Sequence, residues 1–228
     1  MPLAASSKSK KGGGPTKGKT RLEPVRDAER TQQMILNAAE VEFASKGLAG
    51  ARVDVIADQA GANKRMLYYY FGSKEDLYLA VLERAYIAMR QTERELNLTH
   101  LKPLEAIQRL VEFKFDYCQA HPLMIPLLAG ENVLGAKYLK RSRKLRDMNL
   151  SLVEVIRKIL DAGVVEGTIR PGLDPLHLYL SMSAESYFYF SNATTLSATF
   201  GRNLLSEAEQ QIRRKHCVDV ILAYVRAK

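Results

Sequence analysis

From Arg30 to the end of the chain, apolar residues recur at three- and four-residue spacing, and no run alternates as a strand would. That periodicity confines the fold to helices packed on helices: all-α, about nine of them. The first, about 30–46, carries Met34, Ile35, Ala38, Ala39 and Phe43, with Gly47 as its stop. Short helices over about 54–60 and 64–71 meet at Gly61. Ser73 and Asp76 have the spacing of a capping box and open a long helix to about Leu96. Pro103 starts a helix whose Leu104, Ile107, Leu110, Val111 and Cys118 share a face. Helices over about 122–131 and 138–162 follow, then a turn punctuated by Gly163, Gly167, Pro171 and Gly172. Asp174-Pro175 pairs an N-cap with proline at the first helical position and opens a helix over about 175–199. Ser206 with Glu209 opens the last, about 206–226.

At 228 residues the chain has room for one or two domains and a sizeable core. Residues 1–28 read as a disordered basic tail, too rich in Gly, Ser and Lys to bury apolar surface. The next unit spans about 29–75, and a larger helical unit 76–228. Six of the nine net positive charges lie in residues 1–21, which hold no acid. Such an arm either solubilises the chain or follows nucleic-acid phosphate. No apolar run approaches the ~18 residues that span a bilayer, and MPLAASSKSKK contains no signal-peptide apolar stretch. Cys118 and Cys217 stand alone, without disulfide or zinc spacing, and the four His are scattered. The expected setting is the cytoplasm, at the nucleoid, with no metal, no cofactor and no membrane. Neither a phosphate-cradling Gly loop nor a nucleophile elbow is present, so enzymatic chemistry is not expected.

Two short helices joined at a tight Gly turn form a helix-turn-helix pattern. Ala57 is small enough for close helix crossing, and Gly61 supplies the left-handed residue of the turn. Ile56, Ala60 and Leu67 face Phe43. Asn63 caps the third helix and leaves Lys64 and Arg65 in its first turn, where a recognition helix meets base edges. In Tyr68-Tyr69-Tyr70-Phe71, four consecutive rings cannot all point inward at about 100° per residue. Leu67 and Phe71 take the core, and at least two tyrosines face outward. There they either reach phosphate or pack against the long helix that follows.

The stretch Ala51–Leu82, ARVDVIADQAGANKRMLYYYFGSKEDLYLAVL, resembles the DNA-binding domain of the tetracycline-repressor (TetR) family, and the likeness reaches back to about Arg30. Ile56-Ala57, Ala60-Gly61, Leu67-Tyr68, Phe71 and Lys74 stand at the family's spacing. The resemblance implies a DNA-binding set of Arg52, Asn63, Lys64, Arg65, Met66, Tyr68, Tyr69, Tyr70 and Lys74. Of these, Lys64, Arg65 and Met66 would meet bases, and the tyrosines and Lys74 would hold phosphate. The chain departs from the family pattern in long Arg65 and Met66, in Val53 and in Tyr70. The resemblance also implies a C-terminal domain that binds a ligand and forms a homodimer. The Asp174-Pro175-Leu176-His177-Leu178 start is similar to the branch containing the bacterial pyrimidine-utilisation regulator.

For that domain the expected polar ligand contacts are Tyr117, His121, His177, Ser181, Glu185 and Tyr187, each also readable as a core residue satisfied by a neighbour. Glu185 needs a partner, either a ligand amine or an Arg across the dimer. The ring run Tyr187–Phe190 places the dimer interface on the 175–199 and 206–226 helices. Lys140–Arg146 is a solvated face or a second phosphate contact. The reading is a homodimeric transcriptional regulator, a repressor, that binds a pseudo-palindromic double-stranded operator and is released by an unidentified small molecule. The alternatives are an activator or ligand-independent binder on the same scaffold, and a non-specific chromosome-coating protein.

Overall fold

The computed structural model describes residues 23–227. The first 22 residues of the expected basic tail lie outside the described residues. The last six, 23–28, are helical and begin α1 (Glu23–Gly50), which starts earlier than the apolar periodicity indicates. Pro24 fits there because it falls in the first turn, where no backbone donor is needed. The expected stop at Gly47 is present: its φ of 64° and ψ of 173° break the helix. The buried Glu42 then accepts the N–H of Arg52 at 3.0 Å and fastens the turn to α1.

After it come α2 (Val53–Gln59), α3 (Lys64–Phe71), α4 (Lys74–Glu95), α5 (Pro103–Ala120), α6 (Met124–Val133), α7 (Arg143–Val165), α8 (Pro175–Phe200) and α9 (Glu207–Val225). Among the described residues there are thus nine α-helices and no strand. Five starts are set by local chemistry. Asn63, Ser73, Ser142, Asp174 and Ser206 each accept a backbone N–H from the residue three on, as capping requires.

Two differences from the periodicity are informative. The helix expected over 138–162 is split into a single 3-10 turn, Leu139–Arg141, and α7. Ser142 leaves the helical conformation and caps Leu145, an arrangement that serine favours over a mid-helix place. Gly163 is not part of the following turn; it lies inside α7, and the chain turns just beyond the helix at Gly167, with φ of 69°. A Cβ at residue 163 would stand 2.5 Å from Ile169 Cδ1, so glycine is needed there for close approach. Gly163→Ala should therefore cost about 1–3 kcal/mol through overpacking, read as a lowered melting temperature in thermal denaturation.

Two apolar cores organise the bundle. The first joins α1–α4 through Ile35, Phe43, Ile56, Leu67, Leu77 and Val81, and it also takes in Leu127 of α6 and Tyr138. The second joins α5, α7, α8 and α9 through Ile107, Leu110, Phe115, Ile156, Met182 and Ile221. Packing therefore does not divide at residue 75: α4 and α6 serve the N-terminal core as well as the C-terminal half.

Candidate nucleic-acid interface and C-terminal cavity

Asn63 Oδ1 accepts the Met66 N–H at 2.9 Å, which fixes the first turn of α3 and leaves Lys64 and Arg65 exposed on it. Gly61 takes φ of 61°, the left-handed turn that its position requires. Ile56, Ala60 and Leu67 are buried in one core with Phe43. Beside the exposed face lies Asp54, 2.7 Å from Arg52 and 4.0 Å from Lys64. The Arg52 guanidinium holds the Asp54 carboxyl at about 2, so it is ionised throughout the neutral range. Arg52, with Asp54 as its stay, projects at the rim of α3.

The tyrosines divide as their helical angles dictate. Tyr69 is 82% exposed and Tyr68 48% exposed, so both hydroxyls are free to meet a phosphate backbone. Tyr70 is half-buried, packed edge-on to Tyr69 and Phe71 and against the N-terminal core. Met66 is likewise half-buried. Lys74 reaches back to the Ala49 carbonyl at 3.4 Å, tying α4 to the end of α1. Of the nine residues expected here, the structure brings Arg52, Lys64, Arg65, Tyr68 and Tyr69 together on one exposed face. Asn63 serves it as a cap, Tyr70 and Met66 are partly spent on packing, and Lys74 on bracing.

The C-terminal half forms a half-open cavity of about 370 Å³ between α4, α5, α6 and α8. Its lining is mostly apolar, with Tyr86, Met89, Ile125, Leu128 and Tyr187 among its walls. Of the six expected ligand contacts, Tyr117 and Tyr187 line it; the other four do not. His121 stacks on the Tyr117 ring at 3.9 Å between centroids, at the exposed end of α5. His177 and Ser181 are exposed on the outer face of α8, where the Ser181 hydroxyl donates to the His177 carbonyl. Glu185 pairs at 2.5 Å with Arg213 of α9 in the same chain, so it awaits neither a ligand nor a partner subunit.

The polar groups that do line the cavity are Lys114, Glu131, Tyr179, Ser183 and Ser186, with Asn132 and Cys118. Lys114 lies 3.1 Å from Glu93, which also pairs with Arg90. Arg90 donates to the Tyr179 oxygen at 2.6 Å and Lys114 approaches the same oxygen at 3.4 Å. Burial pushes the Tyr179 phenol up, but Lys114 and Arg90 beside it bring it net below its ordinary value. The Cys118 thiol is pushed up by burial to about 11, which leaves it a poor nucleophile. A sequence signal for this cluster did exist: Lys114 falls one turn beyond Leu110 on the apolar face of its helix.

One wall of the cavity is shared with the DNA-binding unit. Met124, Ile125, Leu128 and Glu131 of α6 face the cavity, while Leu127 sits in the N-terminal core. Glu131 also accepts the N–H groups of Tyr138 (2.7 Å) and Leu139 (2.9 Å). Tyr138 packs edge-on to Tyr78 of α4, and burial with the nearby Glu131 charge pushes the Tyr78 phenol to about 12. Arg141 then meets Asp76 at 2.6 Å, and Ser142 hydrogen-bonds Glu83. In the basic run 140–146, Lys140, Arg143, Lys144 and Arg146 are exposed while Ser142 and Leu145 point inward.

On the outside of α8, Leu176 and Phe188 are exposed, Leu180 is exposed while also lining the cavity, and α9 exposes Ile212, Val220 and Tyr224. Among the described residues, no helix is long and apolar enough to cross a membrane, and no three His, Cys, Asp or Glu side chains group as a metal site.

Comparison with known proteins follows the same division. Residues 35–81 match the family described as bacterial regulatory proteins, tetR family, and residues 103–221 match the tetracyclin repressor-like C-terminal domain. The chain is 40% identical over 174 residues to the HTH-type transcriptional repressor NicS of Pseudomonas putida, covering 76% of this chain and 82% of that one. It is 30% identical over 192 residues to the HTH-type transcriptional regulator RutR of Escherichia coli K12, covering 83% and 87%. The fold matches a transcriptional regulator structure, SCO4942 of Streptomyces coelicolor, with a TM-score of 0.66 at 26% identity, covering 86% of this chain and 98% of that one.

Proposed function

The chain belongs to the TetR family of bacterial transcriptional regulators, and from that premise we propose a homodimeric repressor, acting in the cytoplasm, whose operator is released when a small molecule fills the C-terminal cavity. The observation that carries this reading is the face of α3, where Lys64, Arg65, Tyr68 and Tyr69 stand exposed around a capped first turn. Lys and Arg donate to guanine O6 and N7, and the tyrosine hydroxyls with Arg52 meet phosphate. Two copies set about 34–36 Å apart would match successive major grooves of a pseudo-palindrome. The relative NicS, named a repressor, supports the sign of regulation.

The dimer is assigned to α8 and α9. Their exposed apolar stripes pair with a second copy to make a four-helix bundle, burying Phe188 and Ile212. Phe188→Glu together with Ile212→Glu should sediment at the monomer mass at micromolar concentration, where the parent chain sediments at twice that mass. Monomeric variants then lose operator binding although α3 is untouched. A parent chain that is monomeric, both free and on DNA, would refute the assignment.

The effector acts through the shared wall. Filling the cavity moves α6, and with it Leu127, Tyr138 and the Arg141–Asp76 pair, against α1 and α4. That shifts α3 relative to its dimer mate. To change operator occupancy usefully, the ligand must differ in affinity between the two conformers by a few kcal/mol.

A further inference from the structure

We propose that the effector is an anion: a carboxylate or similar oxyanion on an apolar or aromatic body, its charged oxygens received by Lys114, Tyr179 and Ser183. This rests on the effector reading above and narrows it to a chemical class. The argument begins with a charge count. Arg90 (3% exposed), Lys114 (5%) and Glu93 (3%) are all buried, and the single carboxylate serves both cations. The cluster therefore holds one uncompensated positive charge, and a buried charge without a counter-charge is costly. Glu131, the other acid on the wall, forms no ion pair with either cation among the described residues; its Oε1 is taken by two backbone N–H groups and its buried Oε2 has no hydrogen-bond partner there. It places a negative charge on the α6 wall, so an anion would be oriented with its charge toward Lys114 of α5.

At the positive end Lys114, Tyr179 and Ser183 keep donors for a ligand, whereas Arg90 does not. Arg90 uses its own on Glu93, Asn149 (3.0 Å) and Tyr179 (2.6 Å). Lys114 has Glu93 and the Tyr179 oxygen as partners, which leaves a third ammonium proton. Two cations on the Tyr179 oxygen occupy its acceptor capacity and polarise its O–H, making it a strong donor to an oxyanion. Ser183, one turn further along α8, lines the cavity with a buried hydroxyl that lies beside the Tyr179 phenol and has no other partner among the described residues. Three donors and a net positive charge thus converge at one end, while Tyr86, Ile125, Leu128 and Tyr187 provide an apolar slot for a single-ring or bicyclic body.

The test uses the full chain and a few hundred small monocarboxylates, benzoate and naphthoate among them, each paired with its carboxamide. Thermal melting and operator binding are both measured. Carboxylates should raise the melting temperature and weaken operator binding, and their amides should do neither. Lys114→Met leaves Arg90 and Glu93 as a balanced pair. The variant without ligand should then melt at or above the parent temperature, and its affinity for the carboxylate hits should fall at least about a hundredfold. A marked drop in its unliganded melting temperature would mean that Lys114 is a structural partner of Glu93, and would overturn the inference. Undiminished carboxylate binding by the variant would do the same. If amides bind and release operator while carboxylates do not, the effector cavity stands and the anion class falls. If no member binds or affects operator affinity, both fall.

Discussion

The Lys64→Ala/Arg65→Ala double variant should bind its operator no more tightly than an unrelated duplex of equal length. Both side chains are exposed in the first turn of α3, and neither packs in a core. A good bidentate contact discriminates by about 1–3 kcal/mol, and a dimer presents each residue twice. A single such contact per half-site then corresponds to about 2–6 kcal/mol, or roughly 30-fold to more than 10,000-fold in affinity. What remains is phosphate attraction through Arg52, Tyr68 and Tyr69, which does not depend on sequence. The fold should be unaffected: Asn63 still caps Met66, alanine is a better helix former than either residue, and exposed substitutions change stability by about 0.5 kcal/mol or less. Fluorescence anisotropy with the selected and a scrambled duplex, alongside a melting curve, separates loss of readout from loss of fold.

The second large effect is expected far from the DNA. Glu93→Gln removes the only acid that pairs with Arg90 and Lys114 among the described residues and leaves two cations buried side by side. Breaking a buried ion pair by deleting one partner costs about 3–5 kcal/mol, because the remaining charge stays out of water. At about 2–4 °C per kcal/mol for a chain of this size, the melting temperature should fall by roughly 6–20 °C. Lys114→Met, which removes a cation from the same carboxylate, should not lower the melting temperature at all. That opposition in sign is the signature of an excess cation. A cluster in which each charge was merely structural would lose stability on removal of either. Denaturant or thermal unfolding of the two variants side by side gives the comparison.

The features that were legible in the sequence are those decided within one turn of helix. Asn63, Ser73, Asp174 and Ser206 announce their helices because a cap satisfies donors only three residues away. The α3 face was legible for the same reason: a capped turn with Leu67 inward leaves Lys64, Arg65 and two of the tyrosines no other side to occupy. The cavity was not. Choosing its contacts from polar residues on apolar helices assumes that the buried face is known. On α8 apolar residues surround the axis, so periodicity does not tell Tyr187, which lines the cavity, from Ser181 and His177, which face outward. The sequence shows that Glu185 needs a partner but not which one, because Arg213 lies 28 residues on and meets it only through tertiary packing. Lys114 and Glu93 do not stand out in the sequence because charged side chains are ordinarily solvated, and only the assembled bundle shows them buried on each other. Gly163 and Ser142 escape the periodicity although what fixes them is close in sequence: Ile169 folds back onto Gly163 from six residues on, and Ser142 caps Leu145 three residues on, and apolar spacing registers neither.

The most direct test of the account is selection of binding sequences from a random double-stranded DNA pool with the purified full chain. The expected result is an enriched inverted repeat whose half-sites lie about one helical turn apart, bound by two chains and not enriched by the Lys64→Ala/Arg65→Ala variant. Binding retained at low salt with no enriched sequence, equal for the parent and the variant, would contradict it and would instead describe a protein that coats DNA through charge alone.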